Sequence, residues 1–136
     1  MKILNCTNHR STPKQLAMGI IDPSDNDGEL LRNAITYDEL PTLEQINRTC
    51  QTIVNLVKKY GCDAAMLGGA PFLAGYEEEA LFRCGFSVAF AFTKRIVKEE
   101  VLQDGSVKKT SLFDSSDTII KHPDGTLEII HAGSKS

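Results

Sequence analysis

The chain reads as an α/β protein, a minimal Rossmann-like parallel sheet flanked by helices and followed by C-terminal β-hairpins. Three observations predict this. Up to Phe92, short apolar runs of strand length alternate with helical segments. Residues 43–60 carry apolar side chains at helical spacing between a start and a stop signal. Beyond Phe92 that spacing gives way to two Asp-Gly turns between strand-like arms. Strand, helix and strand in succession imply right-handed parallel crossovers. One domain is expected over residues 1–136, with a Rossmann-like core at 1–93, a hairpin extension at 94–131 and a frayed tail at 132–136.

Taken in order, residues 2–6 form a first strand. A short helix is expected over 13–18, with Thr12 as its cap, Pro13 at its first position and Gly19 to end it. Ile20 and Ile21 make a second strand, stopped by Asp22-Pro23 and the polar run 24–28, after which 29–35 form another helical turn or two. Thr42 and Gln45 are a capping-box pair for the long helix. Its apolar face holds Ile46, Cys50, Ile53, Val54 and Val57, and Gly61 suits the left-handed residue after it. Residues 63–67 are a small buried strand, and Gly68-Gly69-Ala70-Pro71 turns into a helix over 72–84. Residues 86–92 are the next strand, apolar nearly throughout as expected when both faces are covered. Asp104-Gly105 then joins arms at 95–102 and 106–113, and Asp124-Gly125 joins arms at 118–121 and 126–131.

A length of 136 residues supports a core without disulfides or metal, and 41% apolar with 24% charged residues is ordinary for a globular chain. The net charge of −3 argues against duplex nucleic acid, whose affinity comes from many Lys and Arg contacts. No signal peptide or bilayer-length apolar run is read, so a cytoplasmic location in a bacterial cell is expected, with no membrane partner. Cys6, Cys50, Cys62 and Cys84 lack zinc spacing, and Cys50 and Cys84 fall on apolar helix stripes, so they read as core. Asp22, Asp25 and Asp27 lack the closing Glu of a calcium loop. Neither a metal nor a cofactor is expected. The run Glu77-Glu78-Glu79 reads as a solvent face, and His122 and His131 as surface.

In open parallel sheets, ligands bind beyond the carboxyl ends of the strands. Three segments leave strands there: Thr7-Asn8-His9-Arg10, Gly68-Gly69-Ala70-Pro71 and Thr93-Lys94-Arg95. Gly68 and Gly69 allow close approach of a ligand to backbone, and the helix after Ala70 offers N–H groups and a positive dipole end to a phosphate. A tight turn that binds nothing fits the glycine pair equally well. Arg10, Lys94 and Arg95 supply charge, and His9 a proton near neutrality. Thr7, Asn8 and Thr93 suit a ribose or base edge, and Phe72 could stack on a base. His9, Lys94 and Arg95 are the catalytic candidates. The pair is neither a Walker A loop nor a GxGxxG fingerprint.

The opening Thr7-Asn8-His9, followed by Ser11-Thr12-Pro13-Lys14-Gln15, resembles small CRISPR-associated Csx proteins of the ring-nuclease group. The stretches Ala91-Phe92-Thr93-Lys94-Arg95, Val97-Lys98-Glu99-Glu100 and Gln103-Asp104-Gly105-Ser106-Val107-Lys108-Lys109 are similar to their carboxyl part. The likeness spans most of residues 1–113. Related phage proteins, the Thoeris anti-defence type among them, act as sponges for nucleotide signals. The resemblance implies a cyclic oligonucleotide held across a homodimer or higher homo-oligomer and cleaved without metal, with Thr93, Lys94 and Arg95 on phosphates and Asn8, His9 and Gly69 opposite. The alternative is a sponge that only sequesters a cyclic oligonucleotide or cyclic ADP-ribose signal. The chain departs from the family's expected aromatic and basic close: Asp114-Ser115-Ser116-Asp117 and an additional hairpin follow Phe113.

Overall fold

Thr42 opens the longest helix as its capping box requires: its hydroxyl accepts from the Gln45 amide, and the Gln45 side chain accepts from the Thr42 amide. The computed structural model describes residues 1–132, except for the side chains of 93–96 and 112–116. In chain order the elements are β1 (Ile3–Asn5), α1 (Pro13–Ala17), β2 (Ile20–Ile21), α2 (Asp25–Ile35), α3 (Leu43–Lys59), β3 (Ala64–Met66), α4 (Pro71–Arg83), β4 (Ser87–Val101), β5 (Val107–Lys121) and β6 (Leu127–His131). The result is a mixed α/β chain whose six-stranded sheet runs β2-β1-β3-β4-β5-β6. The first four strands are parallel, and β5 and β6 are added by antiparallel hairpins.

Strand alternation divides the core between the two faces of the sheet. Leu4, Cys6, Ala65, Leu67 and Val88 pack with Leu31 of α2, with Ile53, Val54 and Val57 of α3, and with Leu81 of α4. Ile3, Ile20, Ala64, Met66, Ala89 and Ile120 form the second cluster. Met18, just past α1, is also buried, and its sulfur accepts from the Thr118 hydroxyl of β5 at 3.7 Å. Among the described residues, no helix is long and apolar enough to cross a membrane.

Four expectations need correction. The run 24–28 is the first turn of α2, not a loop: the Ser24 hydroxyl accepts from the Asp27 amide, and Asp25 and Asp27 face the positive end of the helix. Asp27 also accepts from Tyr60 Oη at 2.6 Å and Lys59 Nζ at 2.9 Å, which hold its carboxyl below the usual range. Residues 86–92 and the arm after them are one strand, because β4 runs unbroken from Ser87 to Val101 with an irregularity in register between Phe92 and Thr93. Glu77 is not solvent-facing. It lies at the spacing of Leu73 and Leu81, all three buried on α4. Cys84 is exposed, while Cys6, Cys50 and Cys62 are buried.

The two hairpin histidines have partners, which the surface reading missed. His122 shares a 2.7 Å hydrogen bond from Nδ1 with Ser87 Oγ and a 3.0 Å contact from Nε2 with Glu128, clipping the ends of β4, β5 and β6 together. His131 Nδ1 lies 3.2 Å from Asp117.

Candidate functional site

β1 is flanked by β2 on one side and β3 on the other, so the chain leaves it in one direction and returns in the opposite one. Such a reversal opens a crevice beyond the carboxyl ends of the strands. Here Asn5 at the end of β1 pairs with Met66 at the end of β3, and Met66 pairs in turn with Ala89. The loops that follow, together with Phe90 and Ala91 of β4, enclose a cavity of about 510 Å³. Thr7, Asn8, His9 and Arg10 form one wall and Gly68 and Gly69 the other, with Thr12 and Gln15 of the α1 start alongside.

The glycines do different things. A Cβ on Gly68 would stand 3.2 Å from Thr7 Cγ2, so the residue lets the two walls close against each other. Gly69 has φ +99 and open space where a Cβ would be, so its requirement is conformational. Ala70 caps α4 with no side-chain hydrogen bond, which leaves the first-turn N–H groups without a side-chain acceptor. Neither Ala70 nor Phe72 forms part of the cavity wall, and Phe72 is 49% exposed. No carboxylate lines this cavity among the described residues; its ionisable side chains are His9 and Arg10.

A residue the sequence reading passed over holds this wall in place. Asn5 is 3% exposed, and both ends of its amide are used. Its Nδ2 donates to the His9 carbonyl at 2.7 Å, Ser11 Oγ at 3.2 Å and Asp22 Oδ1 at 2.9 Å. Its Oδ1 accepts from the Thr7 amide at 3.0 Å and the Thr7 hydroxyl at 2.7 Å. Asp22 completes the brace by accepting from the Ser11 amide and hydroxyl. Burial pushes the Asp22 carboxyl up, but the hydrogen bonds from Ser11 and Asn5 outweigh it and leave the group below its ordinary value. A polar side chain at the end of an otherwise apolar strand was the available signal.

Behind the Thr7–Arg10 wall lies a second cavity of about 380 Å³ between that loop and the start of α2, reaching Asp22, Asp25, Glu29 and Arg32. The loop therefore borders two cavities. Thr93, Lys94 and Arg95 continue β4 past the crevice, paired with β5. At about 3.3 Å per residue, the Arg95 backbone stands roughly 13 Å along the strand from Ala91. Their side chains lie outside the described residues. Among the described residues, no group of His, Cys, Asp and Glu is placed to hold a metal ion.

A family model described as "Uncharacterized protein MJ1673 family" matches residues 1–116. The chain belongs to the MJ1673 family. The matched segment holds the first four strands, all four helices and both crevice walls, and stops inside β5. No curated protein and no solved structure matches the chain.

Proposed function

We propose that the chain binds a small cyclic nucleotide signal in the crevice between β1 and β3 of a Rossmann-like sheet, and removes it by ring-nuclease-type cleavage. The observation that carries the reading is the convergence of two loops on one cavity: Thr7–Arg10 brings a guanidinium and an imidazole, Gly68–Gly69 brings approachable backbone ahead of α4, and among the described residues no carboxylate lines that cavity. A volume of about 510 Å³ falls in the range of small-molecule sites.

In such a cleavage the ribose 2′-oxygen forms a bond to the neighbouring phosphorus as the bond to the 5′-oxygen breaks. The proton lost by the 2′-hydroxyl is taken up by a base, and the departing 5′-oxygen gains one. His9 is the side chain in the wall suited to proton transfer, and Arg10 to the charge that builds on the phosphoryl oxygens. Cleavage asks for a base and an acid, and among the described residues His9 is the lining side chain suited to proton transfer, which favours the second reading, sequestration without turnover.

The test is calorimetric titration and chromatography with a panel of cyclic di-, tri-, tetra- and hexanucleotides and cyclic ADP-ribose isomers. One member is expected to bind, with affinity lowered by about 1–3 kcal/mol in Arg10→Ala. Linear product marks cleavage, and intact ligand released on heating marks sequestration. The absence of binding by every member refutes the proposal.

A further inference from the structure

We propose that the open edge of β6 is a homodimer interface, on which a second copy of this chain extends the sheet by antiparallel β6–β6 pairing. A strand at the rim of a sheet presents unpaired N–H and C=O groups, and proteins guard such rims with short strands, charge or proline. The two rims here differ. β2, at one end of the strand order, is two residues long. β6, at the other, has five residues, Leu127-Glu128-Ile129-Ile130-His131, with no Lys, Arg or Pro among them. The β4–β5 ribbon also runs past its neighbours, but it carries Lys98, Glu99, Glu100, Lys108 and Lys109.

Two of the β6 side chains are apolar and exposed, while Glu128 and His131 are engaged with His122 and Asp117. Leu127 is 67% exposed and Ile129 57%. Ile129 lies opposite Ile119, itself exposed, and Ile119 lies opposite Phe90. Phe92, two places further along β4, is exposed on the same face. Phe90 and Val88 anchor this face to the cluster under α3 and α4, so the Phe90–Ile119–Ile129 row continues the core outward between Lys121 on one side and Asp117 on the other, and among the described residues nothing covers its outer end. A row of apolar side chains that runs from the core to an exposed strand edge offers a partner strand something to pack against.

A second copy suits this edge because the strand is self-complementary. A two-fold axis through Ile129 sets Ile129 against Ile129, Leu127 against His131 and Glu128 against Ile130 of the second copy. No like charges stand opposite each other, and the Ile119–Ile129 row continues into its own image. The proposal does not depend on the crevice or its ligand.

Sedimentation equilibrium and light scattering on the full chain test it. The wild type is expected to be dimeric. Ile129→Lys should raise the dimer Kd about tenfold or more, since the new charge meets its own image at the axis. Leu127→Lys, at the more exposed position, should weaken the dimer in the same direction. Both sites are exposed, so the circular dichroism spectra should match the wild type. A wild type that stays monomeric overturns the proposal, and so does a dimer whose Kd is unchanged in both variants.

Discussion

Replacing Glu77 by glutamine should make the chain progressively more stable, relative to wild type, as the pH rises from acid to mildly alkaline. Glu77 is 2% exposed on α4, and burial pushes its carboxyl from an ordinary 4.5 to about 7. Among the described residues the groups that feel its charge most are thiols: the Cys50 thiol is pushed up to about 11 and the Cys6 thiol higher still, each by burial first and by the Glu77 charge second. Below about pH 4.5 the carboxyl is protonated in both folded and unfolded chains, and the full stability is present. As the pH rises toward 7, the unfolded chain ionises while the folded chain holds its proton, so stability falls; above 7 the loss is complete. At about 1.4 kcal/mol per tenfold change in proton affinity, that loss is about 3 kcal/mol. Glutamine copies the shape and neutrality of the protonated acid, and any cost of burying its amide does not depend on pH. The gap between variant and wild type should therefore widen by about 3 kcal/mol between about pH 4 and about pH 8. Urea midpoints measured across that range read it directly. Parallel profiles for the two proteins would show that the carboxyl is hydrated in the folded chain and that the reasoning from burial fails.

Two further substitutions probe the frame of the crevice. Gly19→Ala should cost about 2–4 kcal/mol in thermal or urea unfolding, because Gly19 sits at φ +92 and a Cβ would stand 2.5 Å from the Met1 carbonyl oxygen. Retention of wild-type stability would mean that the Met1 backbone gives way freely. Asn5→Ala should cost about 1–3 kcal/mol in stability, as it strands the partners of a buried amide, and should weaken whatever the crevice binds. A variant that unfolds like wild type would remove Asn5 as the brace of the Thr7–Arg10 wall.

What the sequence made legible was local, and what it hid was tertiary. α3 could be read end to end because Thr42 and Gln45 cap each other within one turn and Gly61, at φ +63, ends the helix through its own backbone. The start of α2 was hidden because Ser24, Asp25 and Asp27 favour both a polar loop and a helix N-terminus. Only the packing of Leu31 into the core decides between them. Glu77 was masked by its two acidic neighbours, although its spacing from Leu73 and Leu81 already placed it on the inner stripe. The hydrogen bonds of His122 to Ser87 and of Asn5 to Asp22 join residues 35 and 17 positions apart, so no local pattern announces them. The meeting of the first- and third-strand loops was legible, since parallel crossovers put the carboxyl ends of successive strands at one rim.

The distribution of sulfur gives the chain a built-in gauge of its own opening. Cys6, Cys50 and Cys62 are buried in the apolar interior, with their thiols held protonated by burial, and Cys84 at the end of α4 faces solvent. Since the thiolate is the reactive form, an electrophile meets one available sulfur on the closed molecule and four on the opened one. The three hidden sulfurs become chemically visible only as fast as the packing between sheet and helices comes apart.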